Sequence, residues 1–137
     1  MNLPELPKQH KKREADFGVY LRHWIKKNPQ FKTCAIELKH TRGKNRFNFS
    51  ELKDEQIAYA MCVSSDQGIL TRVRGLSGEA DYLYMRNEVA FITIRYPNNV
   101  VFITINDYIS EKVNSKKKSL SEERACEIAT DIIKIRG

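Results

Sequence analysis

This 137-residue chain has little of what defines several common protein classes. Its three cysteines, Cys34, Cys62 and Cys126, are an odd number without a C-x-x-C pair, which argues against a disulfide scaffold and against a zinc site. It contains no apolar run near the roughly 20 residues that span a bilayer, and nothing resembling a signal peptide. We therefore expect one soluble domain in a reducing, cytoplasmic compartment, with no membrane partner.

Acidic residues are outnumbered by basic ones, 17 against 24, which gives a formal net charge of +7. Basic surfaces neutralise phosphates and release counterions, so this composition favours a nucleic-acid partner bound with salt-dependent affinity. The alternative is that the charge runs are solvated faces. The basic residues cluster as Lys11, Lys12 and Arg13, as Arg42, Lys44 and Arg46, and as Lys116, Lys117 and Lys118. We expect the first two clusters to bind DNA phosphates.

The segment CAIELKHT, residues 34–41, is the most informative of the chain. Read as a strand, it places Glu37 and Lys39 on one face and turns Ile36 and Leu38 towards a core. A carboxylate on a rigid strand can bind Mg²⁺, and the Leu38 carbonyl offers another oxygen. The adjacent ammonium can orient a water or offset charge on a phosphate. The pattern indicates metal-dependent phosphodiester hydrolysis; the alternative is an exposed ion pair contributing less than ~1 kcal/mol.

A basic turn and a helix follow this strand. The turn, residues 41–46, carries Arg42, Lys44 and Arg46, which adjoin the proposed site. Ser50 is predicted to be the N-cap of the helix, with Glu51 in its first turn. Gln56 is a polar residue near the apolar face of that helix. If the helix packs back on the sheet, Gln56 comes near Glu37; the alternative is a hydrogen bond to a loop carbonyl.

With these residues the chain resembles the PD-(D/E)XK nuclease superfamily, and within it Holliday-junction resolvases of the archaeal, phage and bacterial recombination type. The resemblance implies a metal ligand at Glu37, the catalytic lysine at Lys39 and the polar helix residue at Gln56. It implies an α/β fold with a central mixed β-sheet flanked by helices, a restriction-endonuclease-like core, and Mg²⁺ or Mn²⁺ as cofactor. It is carried by residues 35–41 (AIELKHT), 47–49 (FNF) and 52–56 (LKDEQ).

The chain departs from that family in one respect. The family carries an Asp on the strand before the E-x-K strand, whereas no Asp or Glu lies between Asp16 and Glu37 here. We favour Asp81, at the start of a later strand, as the second metal ligand, with Asp16 or Glu14 of the first helix assisting. The alternatives are that Asp81 is a turn residue and that the two helix acids are solvated.

Patterning predicts one domain over residues 1–137, with residues 1–9 flexible. A helix is expected over residues 10–27, because its apolar residues form a stripe, and it should end before Pro29. The strand at 68–74 is expected to lie parallel to the Glu37 strand, since a helix connects the two. Asn87–Glu88 is expected to be a hairpin turn between strands 81–86 and 89–96. A turn is expected at residues 97–99, followed by a strand at residues 100–105.

The C-terminal third is predicted to hold two helices. The first is capped by Asn106 or Asp107 and reaches about Val113. Residues 114–120 are expected to be an exposed Lys-rich linker. The last helix begins at Ser121 and has an apolar face made of Ala125, Ile128, Ala129, Ile132 and Ile133.

The function expected from these features is a Mg²⁺- or Mn²⁺-dependent structure-selective endonuclease, a hydrolase of DNA recombination and repair. A four-way junction as substrate would call for a homodimer, because its two-fold symmetry requires two cuts. Phosphate contacts position DNA without specifying sequence, which suits a structure-selective enzyme. The alternatives are a nuclease of this fold acting on a flap, an end or a restriction target, and a catalytically inactive DNA-binding protein. The host would be bacterial, archaeal or phage-infected.

Overall fold

The computed structural model describes residues 6–7, 14–28, 33–74 and 80–136. The chain forms a mixed α/β fold with a central mixed sheet and, in these residues, four α-helices. A short 3-10 turn occupies Phe49–Glu51. The elements in chain order are β1 (Leu6–Pro7), α1 (Glu14–Lys26), β2 (Cys34–His40), β3 (Arg46–Asn48), α2 (Asp54–Ser64), β4 (Ile69–Arg74), β5 (Ala80–Met85), β6 (Val89–Arg95), β7 (Asn99–Thr104), α3 (Ile105–Asn114), β8 (Ser119–Ser121), α4 (Glu122–Ile128) and β9 (Asp131–Arg136).

Among the described residues, the central sheet has five strands in the order β1-β9-β7-β6-β2. β2 is parallel to β6, the β6–β7 and β7–β9 pairs are antiparallel, and β1 is parallel to β9. The pairs β3–β8 and β4–β5 form two separate antiparallel ribbons. Within the described residues, β2 therefore lies at an edge of the central sheet, and its side chains are partly buried along its whole length.

Each face of the central sheet carries its own apolar cluster. On one face, Ile92 and Ile94 of β6 pack with residues of α2, α3 and α4. On the other, Leu21 and Trp24 of α1 pack against Phe102, and the rings of Trp24 and Phe102 stack with centroids 5.3 Å apart. The predicted stripe of the first helix is thus confirmed at these buried positions. No helix in the described ranges is long and apolar enough to cross a membrane.

The first helix ends close to the predicted position. α1 stops at Lys26, and the side-chain amide of Asn28 donates to the Trp24 carbonyl at 2.6 Å. The backbone amide of Asn28 also donates to the carbonyl of Ile25 at 2.9 Å, so two of the last carbonyls of the helix, those of Trp24 and Ile25, are satisfied. The expected start at residue 10 lies outside the described residues.

The predicted parallel pairing of residues 68–74 with the Glu37 strand is wrong. β4 is a strand, but it pairs antiparallel with β5, and the parallel neighbour of β2 is β6. β6 is almost wholly buried, as a strand covered on both faces must be. In β4, by contrast, Leu70, Arg72 and Val73 are exposed, so this strand lies outside the covered sheet.

Asn87–Glu88 is not a hairpin turn, because β5 and β6 do not pair with each other. Asn87 has a left-handed backbone, with φ at 53°, and its amide donates to the Ser65 carbonyl at 3.0 Å. The amide of Glu88 donates to the Val63 carbonyl at 3.1 Å. This link carries the chain from the β4–β5 ribbon to the central sheet across the end of α2. The predicted turn at residues 97–99 does join two paired strands, β6 and β7.

The C-terminal helix is shorter than predicted. Ser121 is its N-cap and accepts from the Arg124 amide at 3.1 Å, as expected. The helix ends at Ile128, however, and Ile132 and Ile133 lie in β9. Ile133 is buried while Ile132 is exposed, an alternation that fits a strand of β-branched residues.

Three other boundaries differ from expectation. Ser50 lies in the 3-10 turn rather than at an N-cap, and α2 starts only at Asp54, because Leu52 is extended and buried. Thr104, not Asn106 or Asp107, caps α3 by accepting from the Asp107 amide at 3.3 Å. The predicted linker at residues 114–120 ends in β8, which pairs with β3 and buries Leu120.

Candidate active site

Glu37 and Lys39 project from the same face of the edge strand β2. They lie in register with Ile92 and Ile94 of β6, whose side chains face α2. Ile36 and Leu38 point to the opposite face and pack with the α1 cluster, as the alternation predicted. Lys39 Nζ is 3.7 Å from Glu37 Oε1. Because 36% of the Glu37 side chain and 21% of Lys39 remain accessible, solvent and a ligand can reach the pair.

Gln56 fixes the orientation of the Glu37 carboxylate. The side-chain oxygen of Gln56 accepts from the Lys53 amide at 3.0 Å, at the N-terminus of α2. Its side-chain nitrogen donates to Glu37 Oε1 at 2.8 Å. A backbone donor thus holds the amide oxygen, so the nitrogen has to face the carboxylate. The predicted approach of Gln56 to Glu37 is confirmed.

The hydrogen bond from Gln56 and the closest contact of Lys39 both fall on one oxygen of Glu37. Within the described residues, Oε2 of Glu37 accepts no hydrogen bond. One oxygen is therefore used to hold the carboxylate in place. The other is available to a cation or a water.

A cavity of about 330 Å³ opens beside this carboxylate, between the edge strand and α2. Its walls are mostly apolar, including Ala60 and Ala90, and its polar groups are the side chains of Glu37, Gln56, Glu55 and Tyr59. Glu55 is a second carboxylate at the same cavity. The hydroxyl groups of Tyr59 and Thr71 share a hydrogen bond of 2.8 Å, which fixes Tyr59 against β4.

Glu55 and Tyr59 were not predicted as site residues. Glu55 is an acid in the first turn of a helix, where it has a structural explanation as a favourable charge at the helix N-terminus. Tyr59 fits the apolar stripe of the helix. The available signal for Glu55 was its position directly before Gln56.

The basic turn after β2 is exposed and held by backbone contacts. Arg42 and Gly43 have left-handed backbones, with φ of 56° and 87°. The amide of Arg42 donates to Nδ1 of His40 at 2.6 Å, and the amide of Lys44 donates to the Thr41 carbonyl at 3.2 Å. The side chains of Arg42 and Lys44 thus stand in solvent beyond the end of β2.

Arg46 differs from the two other basic residues of the turn. Its Nε donates to the Ser119 hydroxyl at 2.6 Å, and its Nη2 donates to the Ser119 carbonyl at 3.0 Å. These bonds link β3 to β8, so the Arg46 guanidinium stabilises the β3–β8 ribbon. The three remaining basic residues of the predicted DNA surface, Lys11, Lys12 and Arg13, lie outside the described residues.

Asp81 belongs to the β4–β5 ribbon and not to the sheet that carries Glu37. Asp81 lies on β5, opposite Val73 in the ribbon, and its side chain is exposed. Nowhere in the described ranges do three or more His, Cys, Asp or Glu side chains form a group that could hold a metal. Glu14 and Asp16 lie in the first turn of α1, and their side chains are outside the described part. Leu38 is opposite Thr93 of β6, and metal binding by its carbonyl stays a prediction.

Comparisons with models of protein families, with curated proteins and with solved structures find no match for this chain.

Proposed function

We propose that this chain is a metal-dependent endonuclease that hydrolyses DNA phosphodiesters, with four-way junctions as substrate and a restriction-endonuclease-like core. The observation that carries the proposal is the Glu37 carboxylate on an edge strand, held on one oxygen by Gln56 at 2.8 Å and flanked by Lys39. Glu37 also lines a cavity to which Glu55 contributes a second carboxylate. This combination supplies an oriented carboxylate, a cation and room for a ligand.

The carboxylates at this cavity are as few as a Mg²⁺ site in a protein uses. Magnesium is often bound by one or two carboxylates, retains several waters and takes further ligands from substrate phosphate. Glu37 and Glu55 are two carboxylates at one cavity, and the Leu38 carbonyl is a further candidate ligand. A bound Mg²⁺ or Mn²⁺ would supply a Lewis acid and a water of lowered pKa.

The side chains around Glu37 have separate tasks in this proposal. Hydrolysis forms a bond from a water oxygen to phosphorus while the bond to the leaving sugar oxygen breaks. Lys39 would donate to the attacking water or to a non-bridging phosphate oxygen, which offsets the charge that develops there. Gln56 would act as a positioning residue, because its side-chain amide is used in the contacts to Lys53 and to Glu37 Oε1.

The exposed turn beyond β2 would contact the DNA backbone. Arg42 and Lys44 are free to bind phosphates on either side of the scissile bond. Such contacts fix the position of DNA without reading its sequence, which suits recognition of DNA shape. A four-way junction has two-fold symmetry, and two opposed nicks would require two copies of this site in a homodimer.

The test is cleavage of an end-labelled four-way junction and its matching linear duplex, with Mg²⁺ and with EDTA. We expect junction nicking in Mg²⁺ alone, lost in Glu37→Gln and kept in Glu123→Gln, a matched change of an exposed acid on α4. Lys39→Met should abolish nicking, while Lys134→Met, at another exposed strand lysine, should not. Metal-independent cutting, or full activity of Glu37→Gln, would refute the proposal.

Two further variants identify the acid that completes the metal site. Glu55→Gln should abolish nicking if the cavity supplies both carboxylates. Loss of nicking in Asp81→Asn, with Glu55→Gln active, would instead identify Asp81 of the β4–β5 ribbon as the second metal ligand. Activity in both variants would direct attention to Glu14 and Asp16.

A catalytically inactive DNA-binding protein is the second candidate. It is favoured by the absence, in the described residues, of any group of three potential metal ligands. Junction binding without cutting would support it, provided that binding depends on Arg42 and Lys44 and not on Glu37. If a flap or a duplex is cut in preference to a junction, the nuclease assignment stands and the proposed substrate is wrong.

A further inference from the structure

The β4–β5 ribbon has two faces of different character. Residues that lie opposite each other in an antiparallel pair share a face, and successive residues alternate between faces. One face of the ribbon therefore carries the pairs Ile69–Met85, Thr71–Leu83 and Val73–Asp81, and the other carries Leu70–Tyr84 and Arg72–Tyr82.

The first of these faces attaches the ribbon to the domain through Ile69, Thr71 and Met85, while Val73 and Leu83 of the same face are exposed by 39% and 45%. Met85 is buried, Ile69 packs on the main cluster, and Thr71 shares its hydrogen bond with Tyr59 of α2. We name the second face, made of Leu70, Arg72, Tyr82 and Tyr84, the outer face. Its apolar members are exposed by 62% at Leu70, 61% at Tyr82 and 53% at Tyr84. Two aromatic rings in solvent on adjacent positions of one strand face require an explanation.

One of the two rings is held in place. The Tyr84 hydroxyl donates to the Gln67 carbonyl at 2.8 Å. Gly68 has φ at 72°, and a Cβ there would lie 2.8 Å from the Tyr84 hydroxyl oxygen and 2.7 Å from the Met85 carbonyl oxygen. The close approach thus needs a glycine. Tyr84 loses little further freedom when a ligand stacks on it.

The charge of the outer face is positive. Arg72 lies opposite Tyr82, and the one described acid of the ribbon, Asp81, belongs to the other face. Arg72 takes part in none of the ion pairs among the described residues. Arg86, which follows β5, adds a second exposed guanidinium at the base of the ribbon.

This charge argues against a second copy of the chain as the occupant. A two-fold contact would bury the same patch against itself, so that Arg72 would meet an identical positive surface. A buried cation without a counterion is costly. A polyanion supplies the missing charge, and exposed aromatic rings beside arginine are the features that bind single-stranded nucleic acid.

We propose that the outer face binds single-stranded DNA, with unpaired bases stacked on Tyr82 and Tyr84 and a phosphate bound by Arg72. The two tyrosines are separated by about 6.8 Å along the strand, so each ring can take a separate base. The choice of DNA over RNA rests on the proposed function, since a junction or a flap contains unpaired or easily unstacked bases. The surface itself uses none of the residues of the Glu37 site.

The test is fluorescence anisotropy with a labelled single strand of about 15 nucleotides, within the size range of such sites, and with the corresponding duplex. EDTA is present throughout, so that binding is measured whether or not the protein cuts DNA. We expect the single strand to bind more tightly than the duplex. Tyr82→Ala should weaken it on the order of tenfold, and Tyr82→Phe should restore it, because stacking needs the ring and not the hydroxyl.

Matched variants separate this surface from general charge and from ribbon folding. Leu83→Ala, on the opposite face of the same strand, should leave the affinity unchanged. Arg72→Ala should reduce the slope of log affinity against log salt by about 0.7, the value for one contact to a single strand. Arg22→Ala, an equal loss of charge on α1, should not change the slope. Circular dichroism checks that each variant is folded.

Three results would overturn the inference. The first is wild-type affinity in the variants Tyr82→Ala and Tyr84→Ala. The second is tighter, Tyr82-dependent binding of an RNA of the same sequence, which would reverse the choice of DNA. The third is a dimer in sedimentation that Tyr82→Ala dissociates, which would make the outer face a contact between copies. Loss of cleavage in Glu37→Gln with single-strand binding retained would leave the inference standing.

Discussion

Reversing the Glu37–Gln56 pair separates the structural role of this contact from a catalytic one. In Gln56→Glu the new carboxylate can still accept from the Lys53 amide, so the start of α2 is kept. The donor to Glu37 Oε1 is lost, however, and two carboxylates then face each other. In the double variant Glu37→Gln/Gln56→Glu an amide can again donate to a carboxylate, in the opposite direction.

The expected cost follows from the geometry. A hydrogen bond to a charged group contributes about 1.5–3 kcal/mol, and the 36% exposure of Glu37 reduces this to about 1 kcal/mol. Repulsion between the carboxylates adds to the loss, so we expect Gln56→Glu to be about 1–2 kcal/mol less stable than wild type at pH 8. At pH 4.5 the loss should shrink, because a protonated carboxyl can donate in place of the amide.

The assay is urea denaturation followed by the fluorescence of Trp24, at pH 8 and at pH 4.5. Stability should fall in Gln56→Glu and return most of the way to the wild-type value in the double variant. Nicking of the junction should be absent in the double variant, because the carboxylate has moved from the strand to the helix. Gln56→Met loses both hydrogen bonds and should cost about 2 kcal/mol at either pH.

The reasoning is refuted if Gln56→Glu is as stable as wild type at pH 8, or if the double variant is as unstable as the sum of its single changes. If the losses of unfolding free energy in the two single variants add up in full, the two side chains do not interact in solution. Activity in the double variant would show that the position of the carboxylate on β2 is not required.

Three further predictions concern one buried and two partly buried groups outside the site. Tyr96→Phe removes the donor to the buried Leu120 carbonyl, at 2.9 Å, and should cost about 1–3 kcal/mol in urea denaturation. Burial raises the pKa of Asp131 in the folded protein above its pKa in the unfolded chain. The folded state is therefore favoured while this carboxyl is protonated, and the advantage is lost as the pH rises above the pKa of the unfolded chain. Asp131→Asn should be more stable than wild type at pH 7, and this gain should vanish near pH 3. Burial, and then the charge of Glu88, raises the pKa of Cys34, so alkylation by iodoacetamide, followed by mass spectrometry, should be slower at pH 7.5 than that of a free thiol and should accelerate with pH.

Each of these has a control and a contrary result. Tyr82→Phe alters an exposed hydroxyl and should leave stability unchanged, whereas equal losses in both Tyr→Phe variants would contradict the argument from Tyr96. A stability difference between Asp131→Asn and wild type that does not vary with pH would remove burial of the charge as its cause. Alkylation of Cys34 as fast as that of glutathione at pH 7.5 would show that its thiol is not held in an apolar environment.

Part of the candidate site could be predicted because its determinants are local. The alternation of residues 34–40 places Glu37 and Lys39 on one face whatever β2 pairs with, since the side-chain period of a strand is two. The Ser121 cap likewise depends on its own hydroxyl and the amide of Arg124, three residues away. Gln56 was predicted to approach Glu37 because a helix after a strand packs back on the sheet.

Other features depended on contacts between distant parts of the chain. Glu55 became a candidate ligand only because α2 starts at Asp54 and places Glu55 of its first turn at the cavity. Asp81 looked like a displaced acid of the E-x-K hairpin, but its strand pairs with β4, and the ribbon carries it to an exposed position. The sequence around Asp81 contains no information on which strand it will pair with.

The sequence by itself determined which segments form the early strands and helices, and which side chains share a face, because periodicity and caps act over a few residues. The tertiary structure decided which strands are neighbours. β6 lies beside β2 because it can be buried on both faces, and β9 forms where a helical stripe was expected because Ile133 and Ile135 fill the sheet face that α1 covers. Burial compares distant segments with one another, and no local pattern records the result.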